Sequence, residues 1–358
     1  MPYLPKFIRM KAWQWHGALE RRQHKLNYLF WEATLACNLA CRHCGSSCTP
    51  KQSRKDELTT QEVIDTFRTI AEDFDAKKIM VAITGGEPLL RDDLFEITKE
   101  MRVLGFPWGM VTNGLLVKSK TPAKCLETGM TSVTISLDGM KKTHEWLRGR
   151  NSFEPAKKAT RLFRKAGGTH LVQITSTIHS RNLEDLPEMY KLVKELGVNE
   201  WRLLLIDPIG RAADKPDMEL SAGQFREMMD FIKEHRAKDD EMSITFGDEA
   251  FLGHRYEGEV RDSYFRCWAG VNIGGIMYDG AIGSCPNIGR RYLQGNVREE
   301  RFSEVWKYKY KEFRDRSWMK KGMCEKCRVW KHCRSNGFHL WSDERCEPMR
   351  CHYKMLFE

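Results

Sequence analysis

The run Cys37-Asn-Leu-Ala-Cys41-Arg-His43-Cys44 constrains this chain more than any other segment. Three thiolates this close on a short loop can take three corners of a cubic iron–sulfur cluster, because such clusters are held by cysteine thiolates. A saturated [4Fe-4S] site needs four. Three leave one iron open, and an open metal position marks chemistry rather than structure. The same residues admit two blander fates. His43 and Cys48 would complete a four-ligand zinc site, and Cys48, after a further x3 gap, would close the cluster as a fourth ligand.

The other cysteines fall in a pattern. Of twelve in 358 residues, four lie between Cys37 and Cys48, seven lie from Cys267 onward, and Cys125 stands alone. Cys125 reads as a small buried apolar residue. The N-terminal residues Met1-Pro-Tyr-Leu-Pro-Lys-Phe contain no apolar stretch of signal-peptide length, and no run approaches a membrane span. Clustered cysteines without a secretory signal point to a reducing, cytoplasmic setting and to metal binding rather than disulfides. The net charge of +10 is spread along the chain and reads as a solvated basic surface, not as a nucleic-acid footprint. It is densest from Lys6 to Lys25, where Arg9, Lys11, Arg21 and Arg22 interleave with Trp13, Trp15 and Leu19. This predicts a basic amphipathic helix that caps a barrel base, with a membrane or partner contact as the other use.

From Leu29, short β-rich runs alternate with helical spacing. Strands are expected over 29–34, 78–84, 108–112, 132–137, 171–178 and 201–206. Helices are expected over 60–74, 94–104, 153–165 and 183–196. Val63, Ile64, Phe67 and Ile70 make an apolar face, and Thr59 or Thr60 is the expected N-cap. Six successive β/α units predict a parallel α/β sheet, short of the eight units of a closed barrel. A linker-like stretch (207–216), a helix (221–234) and a strand (243–246) follow. From Phe265 the texture turns to Gly-rich loops with cysteines. The expected organisation is an N-terminal extension (1–28), a partial barrel (29–215), a bridging helix and strand (216–263) and a loop-rich second domain (264–358).

Further motifs sit where strands end, the end at which parallel β/α folds place their sites. The second strand ends in Thr84-Gly85-Gly86-Glu87-Pro88, the third in Thr112-Asn113-Gly114 and the fourth in Ser136-Leu-Asp138-Gly139. The glycines permit close backbone approach, and Glu87 offers an acceptor to an ammonium group. The cysteine run with its aromatic-type His43, followed one strand later by Gly-Gly-Glu-Pro, resembles the radical SAM superfamily. That resemblance implies a partial (β/α)6 TIM-like barrel and an open iron that chelates S-adenosylmethionine. It also implies reductive cleavage of S-adenosylmethionine to a 5′-deoxyadenosyl radical. It makes Gly85, Gly86, Glu87, Asn113 and Ser136 candidate contacts to that cofactor. Arg148, in His144-Glu-Trp-Leu-Arg148-Gly149, is a candidate partner for its carboxylate. The turn-forming habits of Ser, Asp and Gly explain Ser136 and Asp138 equally simply, and Asp138 is expected to be structural.

Cys267 and Cys285, with Gly280 between them, and the run Cys324-x2-Cys327-x5-Cys333 followed by Cys351 resemble a SPASM domain, which carries up to two auxiliary [4Fe-4S] clusters. One position departs from the pattern. The cysteine expected after a further x3 gap is Gly337. Three ligand sets remain open: Cys267 and Cys285 with Cys346; Cys267, Cys285, Cys324 and Cys327, as in shorter twitch-type domains; or Cys324, Cys327, Cys333 and Cys351. The last is favoured, so one or two auxiliary clusters are expected, with structural zinc as the plain alternative.

The resemblance runs from about Leu29 to the end. Phe106-Pro-Trp-Gly-Met-Val-Thr-Asn-Gly114, Pro208-Ile-Gly-Arg-Ala212 and Phe313-Arg-Asp-Arg-Ser-Trp318 most resemble proteins of the rSAM/lipoprotein type. The implied activity is hydrogen abstraction from a substrate, with a peptide or protein substrate leading. A small molecule such as a tetrapyrrole precursor is the alternative, and a zinc-stapled interaction protein the non-enzymatic one. A flavodoxin- or ferredoxin-type electron donor is implied. Too few residues precede the first strand for a separate leader-peptide domain. No catalytic acid or base is singled out by the sequence.

Overall fold

The computed structural model describes residues 5–239, 241–247 and 250–358; the first four residues of the expected N-terminal extension lie outside them. Ten strands form one sheet in the order β10-β9-β8-β1-β2-β3-β4-β5-β6-β7. The strands are β1 Tyr28–Thr34, β2 Met80–Gly85, β3 Trp108–Thr112, β4 Met130–Ser136, β5 Leu171–Ile178, β6 Glu200–Leu205, β7 Ser243–Phe246, β8 Ile273–Ile276, β9 Ala281–Gly283 and β10 Gly295–Asn296. Pairing is parallel from β8 through β1 to β7, and antiparallel only for β8–β9 and β9–β10. This is the mostly parallel sheet of a partial barrel.

The sheet is wider than six sequence repeats suggest. Residues 243–246, read as part of a bridge, pair in parallel with β6 and continue the sheet. The Gly-rich strand Ile273–Ile276 pairs with β1 at the other side, so the C-terminal region begins inside the same sheet. Its glycines hid it: with no β-branched run, nothing in the local pattern says strand.

The helices as far as Lys238 are α1 Lys6–Gln23, α2 Thr60–Asp73, α3 Leu94–Leu104, α4 Thr121–Glu127, α5 Lys141–Arg148, α6 Phe153–Ala166, α7 Leu186–Glu195 and α8 Ala222–Lys238, and five shorter ones follow. Helix α2 shows why sequence reading works here. Thr59 is its N-cap and forms a capping box with Glu62, while Val63, Ile64, Phe67 and Ile70 are buried. Phe67 packs edge-on to Trp31 of β1 and to Phe106, with centroids 6.0 and 5.3 Å away. The short helices α4 and α5 carry too few apolar positions to register as periodic.

Helix α1 forms as expected, but its packing partners lie in the bridging segment and the C-terminal region. Met10 is buried with Phe251, Phe265, Val329 and Cys333, and Trp13 meets Trp268 edge-on at 5.9 Å. Its outer face leaves Trp15 73% exposed. Among the described residues no helix is long and apolar enough to cross a membrane.

Because Phe67 fills the seam between α2 and the sheet, Phe67→Ala should lower unfolding free energy by about 3–5 kcal/mol. Anaerobic denaturant titration reads this directly, and a loss below ~1 kcal/mol would show that α2 does not anchor this core.

Candidate active site

The segment after β1 carries Cys37, Cys41, Cys44 and Cys48 without regular secondary structure, so its shape comes from its contacts. The Cys37 N–H donates to the Thr49 carbonyl at 3.2 Å and the Leu39 N–H to Cys37 Sγ at 3.4 Å. Arg211 holds the loop from outside: its Nε donates to the Cys41 carbonyl at 2.7 Å, Nη1 to the Cys48 carbonyl at 2.9 Å, and its backbone N–H to the Cys44 carbonyl at 3.1 Å. Gly85 and Gly86 hold it from beneath. A Cβ at Gly85 would sit 2.2 Å from the Thr34 carbonyl oxygen, and one at Gly86 2.0 Å from that of Ala36. The two glycines are therefore required by close packing of β2's end on the cysteine loop.

Leu35, Leu39 and Leu115 line the loop with the cysteines. Burial pushes the Cys37 thiol up to about 11 and also raises Cys41, whereas a hydrogen bond from Cys48 draws Cys44 down to about 6. Cys48 is correspondingly raised, chiefly by that same bond. Among the described residues no three Cys, His, Asp or Glu side chains converge as ligands of a single metal ion. Three soft sulfur donors on one loop are a donor set for an iron–sulfur cluster, whose ligands stand further apart around the metal core.

The strand-end motifs surround this loop. Asn113 donates its amide to Asn38 Oδ1 at 2.7 Å and approaches Cys37 Sγ at 3.8 Å. Ser136, at the end of β4, is buried. Glu87 is fully buried, and its carboxylate accepts from Thr112 Oγ1 at 2.8 Å, the Asn113 N–H at 2.9 Å and the Leu89 N–H at 3.3 Å. Burial pushes its carboxyl up to about 7, with these donors opposing. A direct ammonium contact was expected of Glu87. The structure instead encloses the carboxylate, which ties β2 to β3.

Asp138 is equally enclosed. Its Oδ1 accepts from the Thr177 N–H at 2.8 Å, its Oδ2 pairs with Arg148 Nε, and His43 Nε2 stands 4.0 Å away. Burial acts most strongly, to raise this carboxyl, but the Arg148 guanidinium together with His43 and His144 outweighs it and holds it at about 2. Arg148, expected to pair with a cofactor carboxylate, thus has a carboxylate partner in the protein itself, while its side chain also lines a cavity of about 1080 Å³ beside the cysteine loop.

A second cavity, about 480 Å³, opens between the cysteine loop and the C-terminal region. His43 and Gly45 line one side, Cys267 and Cys285 the other, and Tyr28, Phe30 and Arg202 the strands between. Sequence reasoning missed three residues that matter here. Arg202 projects from β6. Asp207 pairs with His339 Nε2 at 3.0 Å. Arg211 bonds a loop 170 positions away. No local pattern signals partners at such separations.

The remaining cysteines separate by place. Cys324, Cys327, Cys333 and Cys351 all line one small cavity of about 30 Å³. Cys267 and Cys285 face the larger cavity, Cys267 also lines a cavity of about 250 Å³ together with Cys333, and Cys267 Sγ accepts from the Phe338 N–H at 3.5 Å, next to Gly337. Cys346 is exposed.

A cysteine loop at the mouth of a mostly parallel partial barrel, with a cysteine-rich C-terminal extension, defines an S-adenosylmethionine-dependent iron–sulfur protein class. Residues 31–193 match the radical SAM superfamily, and residues 267–334 match the SPASM iron–sulfur cluster-binding domain. The mycofactocin maturase MftC of Mycolicibacterium smegmatis is 30% identical over 86% of this chain and 76% of its own length. An AdoMet-dependent heme synthase of Oleidesulfovibrio alaskensis is 28% identical over 90% of this chain and 86% of its own. The fold is shared with anSMEcpe with bound AdoMet (TM-score 0.72, 20% identity, 92% of this chain and 94% of that one). It is shared also with Streptococcus suis SuiB (TM-score 0.72, 15% identity, 96% and 81%). The chain belongs to the radical SAM superfamily and carries a SPASM domain. Those two domains imply S-adenosylmethionine, a [4Fe-4S] cluster and auxiliary iron–sulfur clusters as its cofactors.

Asp138→Asn should leave Arg148 enclosed without its counter-charge, at a cost of about 3–5 kcal/mol. Because the native carboxyl titrates below its ordinary value, its contribution is present above about pH 3.8 and is lost as pH falls through about 2. Unfolding measured across pH in wild type and variant checks both. A variant as stable as wild type at neutral pH would show that the pair holds nothing together.

Proposed function

We propose that this chain binds its [4Fe-4S] cluster through Cys37, Cys41 and Cys44 and abstracts a hydrogen atom from a peptide or protein substrate seated in the 480 Å³ cavity. The observation that carries this reading is the lining of that cavity: the cysteine loop on one side, Cys267 and Cys285 on the other. When bound, the cluster and S-adenosylmethionine supply one-electron reductive cleavage and with it the 5′-deoxyadenosyl radical. The protein's own residues position and shield. Gly85 and Gly86 let β2 close on the loop, Glu87 fixes β2 to β3, and Asn113 braces Asn38 and Cys37. Gly85, Gly86, Asn113 and Ser136 are assigned to the cofactor's surroundings, Glu87 to their support, and Arg148 to the rim of the adjoining cavity. Cys324, Cys327, Cys333 and Cys351 are assigned to one auxiliary cluster. Cys267 and Cys285 are assigned to the substrate side.

A flavodoxin- or ferredoxin-type protein would donate the electron. The groove beside the cysteine loop suits an acidic partner of that kind, being lined by Arg42, Lys142, Arg150, Arg181 and Lys215 against Glu145, Glu184 and Asp185.

A second reading, oxidation of a small tetrapyrrole-like molecule, is supported by the heme synthase relatives and by Arg202. Among the described residues its guanidinium has no carboxylate partner within 4.0 Å, and it would hold a substrate carboxylate.

The Cys37→Ala/Cys41→Ala/Cys44→Ala variant should lose ~4 irons per chain and all S-adenosylmethionine cleavage while keeping the auxiliary EPR signal; unchanged iron content would sink the assignment. Deuterium carried into 5′-deoxyadenosine from a labelled candidate peptide, but not from a labelled porphyrin, would decide for the first substrate reading over the second.

Cys324→Ala/Cys327→Ala should remove an auxiliary cluster and destabilise the C-terminal region, since metal binding and folding are coupled in loop-rich modules. Cys267→Ala/Cys285→Ala should retain that cluster. Equal iron loss in both double variants would instead support a site shared among these four cysteines.

A further inference from the structure

Helix α1 carries apolar residues on two opposite faces, and packing accounts for only one of them. On the inner face Met10 is buried with Phe251, Phe265, Val329 and Cys333, and Gly17 is buried one further stretch along. On the outer face Phe7 and Trp15 are 62% and 73% exposed, and Ile8 and Leu19 37% and 36%. Phe7, Lys11, Trp15 and Leu19 follow one another at four-residue steps, and Ile8 and Arg22 each stand seven residues from Trp15. All six therefore share one side of the helix. Single exposed apolar residues are ordinary. Here eight large ones are exposed among the described residues, and four of the eight lie on this one helix. Such a gathering marks a contact surface.

The charges on the outer face have one sign. Lys11 and Arg22 are exposed and, among the described residues, have no carboxylate within 4.0 Å. Glu20 is the one acid of α1; it is half-buried off this face and stands 3.6 Å from His16. Lys6, at the start of the helix, is already paired with Glu259 at 3.2 Å. The segment beneath α1, which supplies Val329 and Cys333, adds exposed Lys326, Arg328 and Lys331 against a single exposed acid, Glu325.

Size and charge together select the occupant. With 18 residues α1 is ~27 Å long, and its outer face is ~10 Å wide. That strip, on the order of 300 Å², falls well short of the ~800 Å² per partner of a stable protein interface. It suits a helix lying in the plane of a membrane, with apolar side chains sunk to the acyl boundary and cations at the headgroups. Trp15 stands one turn from both Lys11 and Leu19, the half-apolar, half-wet setting that an indole favours. Two unpaired cations and no carboxylate on the face match an anionic surface.

We propose that the outer face of α1 docks this protein on an anionic phospholipid surface, with Phe7, Ile8, Trp15 and Leu19 inserted and Lys11 and Arg22 at the headgroups. The helix lies on the bilayer and is too polar to cross it. Because Met10 and Trp13 already fix the inner face to the bridging segment and the C-terminal region, the docking face is preformed and little ordering opposes binding. The proposal is independent of the cysteine sites and of the substrate reading above.

The test is co-sedimentation of the anaerobically prepared holoprotein with vesicles of phosphatidylcholine alone and of phosphatidylcholine mixed with phosphatidylglycerol. Saturable binding to the mixed vesicles is expected, ~10-fold or more tighter than to phosphatidylcholine alone and weakened by salt. F7S/W15S should weaken it ~10-fold or more, because the two largest inserted side chains are lost. K11Q/R22Q should weaken it and flatten its salt dependence, and it carries the test through charge alone should F7S/W15S fail to fold by circular dichroism. S-adenosylmethionine cleavage should be unchanged in both variants. No saturable binding to the mixed vesicles, equal binding to both vesicle types, or undiminished binding in the variants overturns the proposal. Elution of the holoprotein as a dimer that F7S/W15S converts to monomer also overturns it, since a second copy of the chain would then cover the face.

Discussion

A buried loop must find partners for its own peptide groups, and the cysteine loop of this protein meets part of that requirement within itself and part from distant segments of the chain. Arg211 takes up carbonyls at Cys41, Cys44 and Cys48 with one side chain and one backbone N–H. The carbonyls of Thr34 and Ala36 accept from Gly86 and Glu87, and at that approach no Cβ is tolerated on Gly85 or Gly86. Three thiols are thereby held on an irregular segment without a helix or strand to fix them. The barrel beneath serves as the mould in which this loop is set.

The enclosed carboxylates do the complementary work at the strand ends. Glu87 binds β2 to β3, and Asp138 links β4 to β5 through the Thr177 N–H and to the end of α5 through Arg148. Both are fully buried, and their surroundings push them opposite ways. Glu87 has only neutral donors and is raised, whereas Asp138 has a guanidinium and is lowered. A residue type in a motif therefore does not by itself say whether its charge meets a ligand or a neighbouring strand.

The C-terminal region is no detached appendage. It enters the main sheet through β8, returns thiols to the barrel cavity at Cys267 and Cys285, and gathers four others around a second, smaller cavity. Gly337 stands in the chain next to Phe338, whose N–H donates to Cys267 Sγ, so the position that departs from the cysteine pattern lies beside Cys267.

Much of this was legible in the chain alone. The period of α2, the cap at Thr59, the alternation of strands and helices, and the grouping of cysteines by spacing are local patterns that survive in any context, because they follow from backbone geometry and thiolate chemistry. The Gly-Gly pair announced a close approach without saying to what. Only the tertiary structure decided that Glu87 is enclosed, that Arg148 pairs with Asp138, that Arg211 grips a loop 170 residues earlier, and that α1 settles on the bridging segment and the C-terminal region. Each of these depends on a contact between distant segments, and a partner's identity at such range is set by how the layers pack, not by any periodicity the sequence carries.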